Sequence, residues 1–287
     1  MPALTPRQAL QVSVAVAILT TLLKGLAAWI TGSVAFFSDA LESLVNVTGA
    51  AFALAMVIYA QQPPDAEHPY GHGKAEYFSA AFEGGMIFLA ALAILVSAAE
   101  RIVHPRPIEA LGWGTALAVL ATLANLLVAR LLLAAARTHR SIAAEADARH
   151  LMTDVFTTAG VIAGVALAVL TGHVWLDPLL AMLVALNILR EGWRLLRRSV
   201  DGLMDHALNP AELASLEAAL AACLVDGVHY VGLRTRKAGA LRFAHVQVHV
   251  PGDWSVTRAH ELADRVEAAA QAVGITLTTH IEPAQRR

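Results

Sequence analysis

Apolar residues crowd the first 200 positions in six runs and thin out over the last 87. The runs cover roughly Ala9–Ile30, Val34–Tyr59, Phe78–Val103, Leu111–Leu133, Ile142–Leu170 and Pro178–Leu196. Each is near the ~20 residues that cross about 30 Å of hydrocarbon, so each predicts a transmembrane helix. The breaks are short, Thr31-Gly32-Ser33 being the tightest, which makes consecutive helices antiparallel neighbours. The first run is too long for a signal peptide, contains Lys24 and precedes no cleavage site, so it is read as retained. Beyond residue 203 the period changes. Pro210–Cys223 carries Leu213, Leu216 and Leu220 at helical spacing behind an Asn209-Pro210 start. Tyr230–Thr235 and Phe243–Val250 alternate as strands, Val256–Ala272 reads as a second amphipathic helix, and Ile275–Ile281 as a last strand. The expected protein is an α-helical membrane protein with six transmembrane helices over residues 1–203. A cytoplasmic α+β domain of order αββαβ, ferredoxin-like, follows over 204–287.

Composition agrees with that division. The chain is 57% hydrophobic and 15% charged, too little charge to clothe a soluble protein of 287 residues. Charge occupies 26 of the first 200 positions but 18 of the last 87, so the tail has the make-up of a small soluble domain. A net charge of −2 gives no reason to expect nucleic acid. One cysteine, Cys223, excludes a disulfide framework and a thiolate zinc cluster. With the N-terminus in the cytoplasm, Arg7, Lys74, Arg130, Arg137, Arg140, Arg149, Arg194, Arg197 and Arg198 all fall inside. Only Arg101 and Arg106 fall outside. Both termini are then cytoplasmic, in a multi-pass protein of the inner (plasma) membrane.

Against so apolar a background, ionisable residues within a span are candidates for function. Asp39, Glu42 and Asn46 share one face of the second span, and His150 and Asp154, four apart, share one face of the fifth. Two such ledges can offer a four-coordinate site to a divalent metal, and protons compete for the same atoms. Each residue also has an ordinary reading. Asp39 can be a helix N-cap, Asn46 an interhelical hydrogen bond, and His150 and Asp154 a mutual pair. Glu83, Glu100, Asn125 and Asn187 lack a matching second residue and are read as structural. After the second span, Asp65, His68 and His72 sit 3 and 4 apart in a loop stiffened by Pro63, Pro64 and Pro69. That is a ligand set suited to Zn²⁺, or an incidental polar loop. Six of the twelve histidines lie in the tail: His206, His229, His245, His249, His260 and His280. His245, Gln247 and His249 project to one face of a strand, and a second metal station is the reading set against scattered surface histidines.

The six spans, the segment His68-Pro-Tyr-Gly-His-Gly-Lys-Ala-Glu76, the His150-x-x-x-Asp154 pair and the histidine-rich tail resemble the cation diffusion facilitators. The likeness is nearest to their bacterial ferrous-iron/zinc efflux branch and covers essentially the whole chain. The resemblance implies a homodimeric exporter of divalent transition metals driven by proton antiport, with no organic cofactor. Zn²⁺ is the first expectation, with Fe²⁺, Mn²⁺, Co²⁺, Ni²⁺ and Cd²⁺ as alternatives. It implies a transport site at Glu42, Asn46, His150 and Asp154. Relatives have Asp or His at the place of Glu42 and Asp at that of Asn46, and Asp39, one turn earlier, is the available substitute. Asp65, His68 and His72 fall on the family's second metal site. Lys74 and Asp205 fall where the family has an ion pair holding the protomers together. His260, His280 and Glu282 fall on ligand positions of the cytoplasmic site, Glu282 replacing an Asp. Gln247 stands at the usual strand histidine, flanked by His245 and His249, and His229 lies near another ligand position. Metal in the tail would regulate transport by drawing the two cytoplasmic domains together. The sequence has no Gly-Lys-Ser/Thr loop for ATP and no His-Glu-x-x-His helix for a metalloprotease, so no enzyme is expected. A membrane-anchored metal sensor that does not transport is the alternative function.

Overall fold

The computed structural model describes residues 4–31, 34–104, 113–173, 175–225 and 227–284, apart from some side chains inside the long helices. The chain divides into two compact units, Met1–Val200 and Asp201–Arg287. The long helices are α1 (Pro6–Thr31), α2 (Val34–Ala60), α3 (Ala75–Val103), α4 (Trp113–His139), α5 (Ile142–Thr171) and α6 (Leu176–Leu203). Among the described residues, Pro6–Leu23, Ala75–Glu100 and Val119–His139 are long and apolar enough to cross a membrane, and α2 adds a shorter apolar piece, Asn46–Ala60.

Helices α1, α3 and α6 start two or three residues before the apolar runs predicted for them, and at α1 a cap marks the start. Thr5 and Gln8 form a reciprocal capping box, the Thr5 amide donating to Gln8 Oε1 at 3.0 Å and the Gln8 amide to Thr5 Oγ1 at 3.3 Å. That opens α1 at Pro6, three residues before the apolar run. Helix α3 opens at Ala75, and its Glu76 reaches the start of α5. Glu76 Oε2 accepts from Ser141 Oγ at 2.7 Å and from the Ala143 amide at 3.2 Å. Ser141 is itself the N-cap of α5, accepting from the Ala144 amide, and Gly172 closes α5 in the left-handed conformation.

Packing between the long helices rests on small residues. Ala9, Ala53, Ala129, Ala143, Ala144 and Ala148 bury together with Leu10, Val57 and Leu132. Small side chains let backbones approach, which matters most where burial in lipid supplies no hydrophobic drive. Helices α3 and α6 approach closely. A Cβ on Gly192 would lie 2.9 Å from the Phe88 amide nitrogen, and one on Gly84 3.0 Å from that of Leu196.

The second unit is α7 (Pro210–Ala221), β1 (His229–Ala238), β2 (Leu241–Val250), α8 (Val256–Ala272) and β3 (Thr276–Pro283), in the order αββαβ. The sheet runs β1-β2-β3, with β1 and β2 antiparallel and β2 and β3 parallel. A parallel neighbour needs a crossover, and α8 supplies it. Both first strands outrun the stretches predicted for them. Alternation in β1 breaks at a bulge between Val231 and Arg234, where Gly232 takes a φ of 66°, but the ladder continues to the turn after Ala238. Val246, Val248 and Val250 pack with Leu216, Leu220, Leu262 and Val266, so one face of β2 is core and the other carries His245, Gln247 and His249. Asn209 and Glu212 form a capping box on α7, and Glu212 also meets Arg242 at 2.8 Å and Lys237 at 3.1 Å. Partial burial alone would raise the Glu212 carboxyl; Arg242, the Asn209 amide and Lys237 outweigh it and hold it down at about 2. Cys223 is half-buried after α7, its Sγ 3.8 Å from the Arg265 carbonyl of α8.

Candidate metal-binding sites

Helices α2 and α5 bring Asn46, His150 and Asp154 into one hydrogen-bonded group. Asn46 Nδ2 donates to Asp154 Oδ2 at 2.8 Å, and His150 Nε2 meets Asn46 Oδ1 at 2.8 Å. An amide oxygen only accepts, so this pairing has the hydrogen on Nε2. The interhelical hydrogen bond expected as the ordinary reading of Asn46 is therefore present, made to both residues of the other ledge. The side chains of Asp39 and Glu42 lie outside the described residues.

Two residues read as structural from the sequence are drawn into the same group. Asn125 of α4 donates from Nδ2 to Asp154 Oδ2 at 3.4 Å. Glu83 of α3 is fully buried, with Oε2 3.7 Å from His150 Nδ1. Asp147, one turn before His150, is also buried, at 1% exposure. Glu83 had a signal in the sequence: it is an acid inside an apolar span, beside Gly84-Gly85.

In the loop between α2 and α3, Asp65, His68 and His72 each offer a ligand atom, and these atoms lie within 4.8 Å of one another. Asp65 Oδ1 accepts from the amides of His68 at 2.6 Å and Glu67 at 2.9 Å, an Asx-type turn that aims the carboxylate. Gly71, at a φ of 79°, turns the chain back so that His72 Nε2 comes to 3.3 Å from Asp65 Oδ2. The His68 ring stands 3.2 Å from Asp65 Oδ1. His72 is buried beneath Tyr59, ring centroids 4.6 Å apart. The His68 amide, with help from its ring and the Glu67 amide and against slight desolvation, holds the Asp65 carboxyl below its ordinary range. One carboxylate and two imidazoles so gathered fit Zn²⁺ or a similar borderline cation.

On the open face of the tail sheet, register aligns His229, His249 and Glu282 in one row, and Gln247 with His280 in the next. The His229 and His249 rings stack at 5.0 Å, and His280 Nε2 lies 2.9 Å from Glu282 Oε1. His245 is on the same face, two residues along β2. His260 is not brought to this group. It sits on α8, the helix that covers the Val246 and Val248 face, exposed and 3.7 Å from Asp264. Asp205, expected to pair with Lys74 between protomers, meets Arg236 of its own chain at 3.3 Å.

Long apolar helices holding buried His150, Glu83 and Asp147 beside part-buried Asn46 and Asp154 suit a membrane protein that handles cations. Residues 10–204 match the cation efflux transmembrane domain, and residues 208–284 match the cytoplasmic domain of cation efflux proteins. An uncharacterized transporter of Synechocystis is 46% identical over 273 residues, covering 94% of this chain and 88% of the relative. The cation-efflux pump FieF of Klebsiella pneumoniae is 30% identical over 249 residues, 86% of this chain and 82% of the relative. The metal-bound C-terminal domain of the CzcD transporter from Thermotoga maritima aligns with 26% of this chain and 94% of its own, at 28% identity and a TM-score of 0.24. The chain belongs to the cation diffusion facilitator family of cation efflux proteins. It is accordingly a membrane-spanning transporter of divalent cations and not an enzyme, with a helical transmembrane domain and a cytoplasmic dimerisation domain built on a small sheet. The sensor alternative is not favoured.

Proposed function

We propose that the protein is a proton-coupled antiporter that exports divalent transition-metal cations, Zn²⁺ foremost, from the cytoplasm. In this reading all six long helices cross the inner membrane and both termini are cytoplasmic. The domains divide at residues 203/204, Lys74 and Asp205 pair across the dimer, and the tail sheet is a regulatory metal station. The observation that carries the reading is the group formed by Asn46, His150 and Asp154 between α2 and α5.

The chemistry follows from the donors. His150 binds a cation through a bare ring nitrogen and Asp154 through an ionised carboxylate, so cation and protons compete for one set of atoms. Facing the cytoplasm, the group takes the cation and releases protons. Facing outside, protons return and expel it, so the inward proton gradient drives export. Glu42, with Asp39 one turn away, completes the ligand set on α2. Asp65, His68 and His72 hold a second cation in the loop, and His229, His245, Gln247, His249, His280 and Glu282 supply ligands on the open face of the tail sheet.

The test is flux into proteoliposomes under an imposed proton gradient. Asp154→Ala is expected to reduce Zn²⁺ flux to that of protein-free liposomes, and unchanged flux would remove the assigned site. Run metal by metal, Asn46→Asp is expected to alter selectivity, because it converts an amide donor into a carboxylate at the group's centre.

A further inference from the structure

We propose that Glu83 is a positioning residue of the transport site, holding the His150 ring by its Nδ1–H so that Nε2 is free for the cation. This rests on the reading of His150 as a transport ligand.

A neutral imidazole carries one ring hydrogen. As described, that hydrogen is on Nε2 and is given to Asn46 Oδ1 at 2.8 Å. Nε2 is also the nitrogen that faces Asn46 and, through it, Asp154, so it is the one a cation held by that group must take. When the cation binds, the hydrogen leaves Nε2, and the ring stays neutral only with a hydrogen on Nδ1. Nδ1 then needs an acceptor. Glu83 Oε2, 3.7 Å away, faces it, one small side-chain rotation short of a hydrogen bond. Because the two ring nitrogens point apart, Glu83 cannot reach the cation at Nε2 and acts through the imidazole. Histidine ligands elsewhere are oriented and made more basic by such carboxylate partners.

Three further observations separate this role from an accident of packing. Glu83 is fully buried, yet neither carboxyl oxygen accepts a hydrogen bond among the described residues. An acid left so in an apolar helix is costly unless another state of the protein uses it. The structure also makes room for it. A Cβ on Gly49 of α2 would lie 2.7 Å from Glu83 Oε1, so glycine at 49 is what lets the carboxyl reach the ring. Finally, the adjacent Gly84 sits at the close crossing with α6, which fixes the depth of Glu83 along α3.

The experiment compares wild type, Glu83→Gln, Gly49→Ala and Asp154→Ala as full-length protein. Zn²⁺ binding is measured by calorimetry in detergent, the component lost in Asp154→Ala being the transport site, and Zn²⁺ flux is measured in proteoliposomes. Glu83→Gln is expected to weaken that component and raise KM by about 10- to 100-fold, the range for lost outer carboxylate partners, with Vmax within about twofold. Gly49→Ala should move both constants in the same direction by displacing the carboxyl, and it carries the test if Glu83→Gln is not recovered folded. Unchanged affinity and KM overturn the inference, and so does a fall in Vmax with affinity and KM intact. Retained flux in Asp154→Ala would sink the transport-site reading instead, a different failure from inactive Asp154→Ala beside unaltered Glu83 and Gly49 variants.

Discussion

At the scale of single residues, the loop and the membrane site divide their work differently between sequence and fold. Asp65, His68 and His72 lie within eight positions, so local turns alone gather them, and the 3-and-4 spacing already reads as a ligand set. Of the three, His72 is buried and braced by Tyr59 while His68 is half-exposed. His72→Ala should therefore lower Zn²⁺ affinity of the loop by at least ~100-fold, since outer partners alone are worth about 10–100-fold. Calorimetry in an Asp154→Ala background checks this, and a loss below ~10-fold would mean that the loop does not use His72. The membrane site was only half legible. Helical spacing pairs residues on one helix, which gave Asn46 and separately His150 with Asp154. Glu83 and Asn125 have no matching second residue within their own spans, so spacing alone does not single them out. In a helix that is apolar all round, no polar stripe says which face meets which neighbour.

At the scale of elements, backbone approach decides where side chains end up. Six long helices were readable from hydropathy, with the start of α1 moved back by the Thr5–Gln8 cap. The crossing of α3 on α6 was not, since glycine in an apolar run signals close packing without naming the partner. Gly192→Ala should destabilise the membrane domain by about 1–3 kcal/mol, because its Cβ would meet backbone, which cannot swing aside. Thermal melting of the full-length protein in detergent measures this, and an unshifted transition would remove the crossing as a packing constraint. In the tail, the αββαβ order was legible from alternation and caps. Strand lengths were not, because the bulge at Gly232 interrupts the period that marks a strand while the hydrogen-bonded ladder goes on.

At the scale of the whole molecule, the two units answer to different solvents and should fail separately. The tail is held in part by Glu212, which caps α7 and pairs with Arg242 and Lys237 of the first two strands. Its folded carboxyl titrates at about 2, below the ordinary 4.5, so the ionised form is favoured by folding. That contribution is complete above the unfolded value and is lost as pH falls from about 4.5 towards about 2. Denaturant unfolding of wild type and Glu212→Gln should show the wild type ahead at pH 6, with the gap narrowing as pH falls from about 4.5 towards about 2. A gap independent of pH would assign the stabilisation to the cap alone. The lone thiol of Cys223, half-buried where α7 ends against α8, has a practical consequence for this dimerising domain. A spin label or fluorophore attached there needs no engineered cysteine and no background removed. In a homodimer it yields a single interprobe distance, which reports directly whether added metal draws the two cytoplasmic domains together.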